Sequence, residues 1–171
     1  MFFSRNPRDM DEQLFLAAFG SVYENSRWVA EKMWRKGRLT GDVGRFAQKL
    51  VDIVNNASQE QRLALIRAHP DLAGRAAVAG KITTESREEQ ASAGLDRCTP
   101  DELAQLQELN ARYKAKFGFP FVMAVKGASR QQILEAFTKR IDNDIDAEFD
   151  RAIAEIHAIA RLRLQEIAGS D

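Results

Sequence analysis

Apolar side chains recur every three or four residues along almost the whole chain, the spacing that places them on one face of an α-helix. Alternating apolar and polar positions, which are typical of a half-buried strand, are scarce. The apolar stripes predict helices over about 14–22, 28–34, 43–54, 58–68, 99–117, 130–141 and 145–167. The pattern therefore predicts an all-α fold.

Several helix starts are marked by Ser or Thr followed three residues later by Glu or Gln, because these side chains bind free backbone N–H groups of the first turn reciprocally. Such pairs are Ser58 with Gln61, Ser86 with Glu89, Thr99 with Glu102, and Ser129 with Gln132. Thr40 is predicted to cap the third helix. Pro100 suits the first position of a helix and Gly118 a helix end, so both ends of the helix between them are marked.

One stretch does not fit a helix. Residues 119–125 have the sequence FPFVMAV, apolar throughout with a proline near the start, and we predict one short buried extended segment there. The prolines and glycines lie near the ends of predicted elements, and no linker, repeat or low-complexity tract interrupts the chain. We therefore expect a single compact multi-helix domain over residues 1–171.

The composition narrows the class of partner. With 25 Lys and Arg against 25 Asp and Glu, the formal net charge is zero, so the basic surface that nucleic acid requires is not expected. No apolar run approaches the roughly 18 residues of a membrane-spanning helix, and we identify no secretion signal. A single cysteine cannot form an internal disulfide, which favours a reducing cytoplasm. One cysteine and two histidines are too few for a transition-metal cluster, so we expect no metal.

His69 is a candidate general acid or base. It precedes Pro70, and a residue before proline is pushed out of the helical conformation, so the preceding helix should end at or just before His69. The helix dipole favours a protonated imidazole at this end, and the ordinary pKa of about 6.5 permits proton exchange around neutrality. The alternative is that His69 only caps the last carbonyls of its helix.

A hydroxyl, a carboxylate and an amide occur together where the next helix begins, at Ser86, Glu89 and Gln90. Exposed N–H groups at such an end bind polar or anionic groups of a ligand. The alternative is structural, since Ser86 and Glu89 form a capping box by themselves.

Arg163 follows Ile156 by seven residues and Ile159 by four, so it shares the apolar stripe of the last helix, whereas Arg161 does not. A guanidinium on an apolar face needs an anionic or polar partner, which can be an internal carboxylate or a bound ligand. His157 is predicted to lie solvated among charged surface positions.

Three phrases occur in the order and approximate spacing of one protein family. They are His69-Pro70-Asp71-Leu72-Ala73-Gly74, Ser86-x-x-Glu89-Gln90-x-x-Ala93-Gly94-Leu95, and Phe117-Gly118-Phe119-Pro120-Phe121-Val122. Further matches are Phe19-Gly20-Ser21-Val22-Tyr23-Glu24 with Trp28, Leu109-Asn110 before Tyr113, Arg140 with Asn143, and Ile159-Ala160-x-Leu162-Arg163-Leu164. Over nearly its whole length the chain resembles 2-oxo-4-hydroxy-4-carboxy-5-ureidoimidazoline (OHCU) decarboxylase, the family of enzymes that catalyses the last step from urate to allantoin. Arg27 departs from the proline of many members but lies outside the expected site.

The resemblance implies an all-helical, cofactor-free and usually homodimeric carboxy-lyase that converts OHCU, a small-molecule substrate, into (S)-allantoin. By position it implies that His69, Glu89 and Arg163 form the charged catalytic group. The residues that it implies for substrate binding are Ser86, Gln90, Pro70, Phe119, Phe121 and Val122. The loss of carbon dioxide leaves a negative charge that the substrate's own ring can accept as an enolate, so the chemistry requires no metal or pyridoxal cofactor.

Two other classes of protein stay open on the residues alone. A helical interaction module, whose apolar grooves bind a partner helix, predicts no turnover. A cofactor-free hydrolase would use His69 with a carboxylate, but no serine or cysteine nucleophile is paired with His69 in an activating motif. Rapid formation of one enantiomer of allantoin from OHCU would separate the three classes.

Overall fold

The computed structural model describes residues 1–37, 39–74 and 80–169. Within these ranges the regular structure is eight α-helices and two short 3-10 helices, without a strand, so the prediction of an all-α fold is confirmed. The α-helices are α1 (Glu12–Phe19), α2 (Trp28–Lys36), α3 (Val43–Asn55), α4 (Gln59–Arg67), α5 (Thr84–Ser92), α6 (Pro100–Phe117), α7 (Arg130–Arg140) and α8 (Ile145–Gly169). The 3-10 helices are Pro7–Asp9 and Leu95–Arg97.

The chain divides into two compact units. The first comprises Met1–Ala68 and Ile156–Asp171, and the second comprises His69–Glu155. Helix α8 therefore contributes its first part to the second unit and its last part to the first unit. The expectation of a single domain over residues 1–171 stays a prediction.

An aromatic cluster joins α1 and α3 in the first unit. Phe3, Phe15, Phe19 and Phe46 are buried, and the ring centroids of Phe19 and Phe46 lie 4.6 Å apart. Tilted and edge-on ring pairs of this kind stabilise a core beyond the area that they bury. The apolar stripes of the two helices therefore pack against each other, as their spacing indicates.

The start of α3 differs from the prediction. Its cap is Asp42, whose carboxylate accepts a hydrogen bond from the Arg45 N–H at 2.8 Å, while Thr40 accepts one from the Asp42 N–H at 3.2 Å. Asp42 directly precedes the first helical residue, Val43, and its negative charge interacts favourably with the helix dipole. The prediction of Thr40 as the cap is wrong for this reason.

Three of the four predicted capping boxes are present, at the starts of α4, α6 and α7. The fourth, at Ser86 with Glu89, is wrong, because α5 begins at Thr84 and the Thr83 hydroxyl accepts a hydrogen bond from the Ser86 N–H at 3.3 Å. Ser86 therefore lies in the first turn of the helix, and its side chain is buried. Hydroxyl side chains at 83, 84 and 86 offer competing starts, and burial of Ser86 favours the earlier one.

His157 is buried in the first unit, so the prediction that it is solvated is wrong. Only 8% of the residue is exposed, its Nδ1 lies 2.8 Å from the Tyr23 hydroxyl oxygen, and its Nε2 lies 3.1 Å from Asn55 Oδ1. The physical reason is helical spacing: His157 precedes Ala160 by three residues and Leu164 by seven, which places it on the buried stripe of α8.

Residues 119–125 connect α6 to α7 in the second unit without forming a helix or strand. Phe119, Phe121, Val122 and Val125 are buried, and the Phe121 ring stacks on Phe137 with centroids 3.9 Å apart. The segment is buried and not helical, as predicted, and its extended conformation stays a prediction. Its packing fixes the backbone at the residues that the family resemblance assigns to substrate binding.

Candidate active site

His69 begins the second unit, two residues beyond the end of α4. The helix ends at Arg67 and Ala68 caps it, as the restriction imposed by Pro70 predicts. Only 8% of His69 is exposed, so bulk solvent has little access to it. Residues 69–74 are called the His69 turn below.

Side chains from two helices bind the backbone of the His69 turn. Gln90 on α5 accepts a hydrogen bond from the Ala73 N–H at 2.9 Å, and its Nε2 donates to the Asp71 carbonyl at 3.5 Å. Asn110 on α6 donates to the Leu72 carbonyl at 2.9 Å. Ala73 has a φ of 48°, in the left-handed region that residues with a side chain rarely adopt. The turn thus has a specific conformation that buried amide groups stabilise.

The polar residues predicted on α5 share one face of that helix. Ser86 and Gln90 are buried and Glu89 is half-buried, and the spacings of three and four residues place them side by side. Because Gln90 binds the His69 turn, Ser86 and Glu89 lie on the side of α5 that carries this contact. Thr83 caps the helix, so the alternative in which Glu89 serves a capping box is removed.

Arg140 on α7 binds the segment at Phe121 and Val122. Its Nη1 donates to the Val122 carbonyl at 2.8 Å, and its guanidinium carbon lies 4.3 Å from the centroid of the Phe121 ring. Since this ring also stacks on Phe137, the Phe121 side chain belongs to the core. A buried cation and an aromatic stack therefore hold the backbone of this segment in place.

Glu148 balances the charge of Arg140. The carboxylate is fully buried and accepts hydrogen bonds from Arg140, from the Tyr113 hydroxyl and from Asn143. Burial by itself would raise the pKa of Glu148, but these hydrogen bonds outweigh burial and hold the pKa below its ordinary value. Burial, followed by the bond to Glu148, raises the pKa of Tyr113. These directions keep Glu148 ionised and Tyr113 protonated around neutrality, so the carboxylate forms an ion pair with Arg140.

Arg163 belongs to the first unit, where it is 3% exposed. Its Nη2 lies 2.9 Å from Glu24 Oε2, and its Nη1 donates to the Ser21 carbonyl at 3.1 Å. The prediction that Arg163 shares the buried stripe is confirmed, and Arg161 is exposed. Arg163 therefore has an internal carboxylate, that of Glu24, as a partner, which is one of the two kinds of partner that the sequence predicts. A role of Arg163 toward a ligand stays a prediction.

A cavity of about 240 Å³ adjoins the His69 turn within the second unit. Its lining includes Ala73, Ile82, Arg87, Gln90, Ala91, Leu95, Asp96, Cys98 and Leu103. Burial, followed by the charge of Glu102, raises the pKa of the Cys98 thiol. Cys98 therefore lacks the activation that a nucleophilic cysteine requires.

Among the residues that the structure describes, no group of three or more His, Cys, Asp and Glu side chains could hold a metal ion. Nor is any helix in the described ranges long and apolar enough to cross a bilayer. The expectation of a cofactor-free reaction stays a prediction.

Four residues of these arrangements received no role from the sequence. Glu24, Asn110 and Arg140 occur in phrases that match the family, and those matches were the available signal. Glu148 carries no such signal, because an acidic residue in the first turn of a helix is typical of a solvated helix start. Asn110 binds the backbone of the His69 turn, and Arg140, paired with Glu148, binds the backbone at Val122. Glu24 binds the side chain of Arg163.

Comparison with known proteins relates the chain to one family. A family model described as OHCU decarboxylase matches residues 8–165. The chain is 45% identical to the 2-oxo-4-hydroxy-4-carboxy-5-ureidoimidazoline decarboxylase of Halalkalicoccus jeotgali over 157 residues, which cover 92% of this chain and 86% of that protein. It is 41% identical to the protein of the same name from Haloferax volcanii over 162 residues, covering 95% and 94% respectively.

A solved structure shows the same relationship. The crystal structure of OHCU decarboxylase in the presence of (S)-allantoin matches with a TM-score of 0.71 at 26% identity, covering 94% of this chain and 100% of that one. Because the family match includes nearly every described helix and the identity to the curated relatives extends over most of both chains, the chain belongs to the OHCU decarboxylase family.

Proposed function

We propose that this chain is a carboxy-lyase that converts OHCU into (S)-allantoin, the last step in the oxidation of urate to allantoin. The observation that carries the proposal is the family match over residues 8–165, which includes every predicted site residue from His69 to Arg163. The substrate is a small molecule, and neither nucleic acid nor a membrane takes part. The 45% identity to a decarboxylase of this name supports the same activity here.

The reaction breaks the bond between a ring carbon and its carboxylate and releases carbon dioxide. The electron pair of that bond passes into the unsaturated ring of the substrate, which forms an enolate, and a proton then adds to one face of the enolate. The enzyme must orient the carboxylate, stabilise the developing charge and deliver the proton from one side. Side chains can perform these tasks, so we propose that no cofactor takes part.

His69 handles the proton of the substrate hydroxyl or delivers the new proton, which are tasks that imidazole performs near neutral pH. Glu89 orients the imidazole or accepts hydrogen bonds from the ureido N–H groups. Two observations support this role. Glu89 lies on the face of α5 that carries Gln90, and Thr83 caps the helix, so Glu89 is not needed for a capping box. Arg163 attracts the carboxylate or enolate, an assignment that rests on the family resemblance.

Ser86 and Gln90 supply further polar contacts to the substrate in this proposal. Pro70, with the backbone around Phe119, Phe121 and Val122, lines the bound molecule. We also propose that the enzyme acts as a homodimer in the cytoplasm. Sedimentation equilibrium of the purified protein tests the dimer, since a monomer at micromolar concentration contradicts it.

The activity is tested with freshly generated OHCU, followed by ultraviolet absorbance and circular dichroism with and without the protein. Uncatalysed protonation reaches both faces of the enolate and gives a racemic product. The enzyme should accelerate the loss of OHCU and produce the dichroic signal of (S)-allantoin alone. Dialysis against a strong chelator should leave the rate unchanged, and a loss of activity that a metal restores would contradict the cofactor-free mechanism.

His69→Ala serves as the matched control, because it removes only the imidazole. If the parent protein converts OHCU no faster than buffer and the product stays racemic, the decarboxylase proposal is wrong. That result would favour the interaction module that the sequence also permits.

A further inference from the structure

An amide side chain occupies a position on α6 that the helical spacing assigns to the core. Asn110 is 4% exposed and lies one turn before the fully buried Tyr113 and one turn after the buried Leu106. An apolar residue would continue this stripe. A buried amide weakens the core unless hydrogen bonds replace its lost contact with water, so the contacts of Asn110 indicate its purpose.

Asn110 makes one long-range hydrogen bond. Its Nδ2 donates to the Leu72 carbonyl at 2.9 Å, across 38 residues of sequence. A carbonyl can only accept, so the donor end of the amide must face Leu72. Oδ1 of Asn110 is buried and has no hydrogen-bond partner within the described part of the chain. Among the described residues only the donor end of the amide has a partner, so the bond to Leu72 is the contact that accounts for an amide at this position.

The bonded carbonyl belongs to the His69 turn, three residues after His69. The peptide groups on either side are held by Gln90, which binds the Asp71 carbonyl and the Ala73 N–H. Two amide side chains from two different helices thus bind three consecutive residues. The turn needs such support, because Ala73 has a positive φ and a conformation of this kind persists only where the surroundings enforce it.

We propose that Asn110 is a positioning residue that fixes the His69 turn and, through it, the imidazole of His69. This rests on the proposed function, in which His69 exchanges a proton with the substrate. Proton transfer requires hydrogen-bond distance between the two groups, and a displacement of about 1 Å lowers rates by roughly 100-fold. Without the bond to Leu72, the turn can shift while α6 remains folded.

The first test is Asn110→Leu, which keeps the number and branching of the side-chain heavy atoms and removes the donor. The value of kcat for OHCU should fall by roughly 10- to 100-fold, with a change in KM of less than about threefold, because the imidazole is misplaced and the rest of the site is intact. Leu106→Ala is the matched control on the same helix. It creates a cavity and lowers the melting temperature, but kcat should stay at the parent value where circular dichroism shows the variant to be folded.

The second test uses pH and does not depend on the leucine variant. In Asn110→Asp the carboxyl group can donate to the Leu72 carbonyl only while it is protonated, and burial favours that form. The ratio of variant to parent kcat should therefore be near one at low pH and fall as the pH rises. A merely structural role predicts a ratio that stays constant in folded protein through the pH at which the carboxyl group loses its proton.

The outcomes distinguish this proposal from the proposed function. A parent that does not convert OHCU contradicts the decarboxylase itself. If the parent is active and His69→Ala inactivates it, the decarboxylase proposal stands. In that case a parent kcat in Asn110→Leu, or a constant ratio in Asn110→Asp, contradicts the positioning role alone. Should Asn110→Leu fail to fold, the pH dependence of Asn110→Asp decides the question.

Discussion

The buried histidine of the first unit provides a quantitative test of the structure. His157 Nε2 faces Oδ1 of the Asn55 side chain, which can only accept, and therefore carries the proton, while Nδ1 accepts a hydrogen bond from the Tyr23 hydroxyl. Neutral imidazole is satisfied on both sides. Burial, followed by the nearby positive charge of Arg161, lowers the pKa of His157 to about 4. Protonation of this ring should therefore destabilise the folded protein.

The magnitude follows from the difference between the two states. The unfolded chain binds a proton at the ordinary histidine pKa of 6.5, whereas the folded protein does so only near about 4. Between these values the unfolded state holds more protons, so stability is lost as the pH falls from 6.5 toward 4. The whole difference corresponds to about 3 kcal/mol, of which about 2 kcal/mol is lost between about pH 7 and pH 5.

The assay is urea unfolding, followed by circular dichroism at several pH values, of the parent and His157→Gln. Glutamine cannot be protonated, and the carboxylates that titrate in the same range are common to both proteins. At about pH 7 the variant should be less stable by about 1–2 kcal/mol, because it replaces two buried hydrogen bonds imperfectly. This difference should shrink or reverse by about pH 5. Parallel stability curves for the two proteins would refute the argument and show that His157 does not titrate differently on folding.

Three further substitutions test the proposed catalytic residues. His69→Ala should lower kcat by roughly 100- to 10,000-fold in folded protein, whereas His157→Gln should keep the parent kcat; equal losses in the two would contradict the role of His69. Glu89→Gln should leave the melting temperature nearly unchanged, because Thr83 caps α5, and should lower kcat by roughly tenfold or more, since a charged hydrogen bond is about twice as strong as a neutral one. A near-parent rate would exclude a need for the carboxylate. Arg163→Lys should lower kcat/KM by roughly tenfold or more, because an ammonium cannot reproduce the paired bonds of a guanidinium; full activity with a lower melting temperature would leave only the ion pair with Glu24.

The helices were predictable because their signals lie within a few residues of each end. Thr99, Pro100 and Gly118 mark both ends of α6, and the helix begins and ends where they indicate. The start of α5 was not predictable in this way, since Thr83 and Ser86 are both competent caps. The choice depends on the burial of Ser86, which is a property of the packed protein.

The candidate site was likewise predictable only in part. Its residue types and their order along the chain were visible in the sequence, and so was the helix end at His69. The groups that hold them were not visible, because a hydrogen bond such as that from Asn110 to Leu72 joins positions 38 residues apart. The helical spacing places Asn110 on the buried face of α6, but no local pattern shows which distant carbonyl its amide binds.

By itself, the sequence determined the all-α class, most helix boundaries and the buried segment at 119–125, because helical periodicity, caps and proline act over one or two turns. Only the tertiary structure decided that His157 is buried beside Tyr23 and that Arg163 has Glu24 as its partner. These pairs lie more than a hundred residues apart in sequence. Their burial and protonation depend on which surfaces of the helices meet, and long-range packing sets that choice.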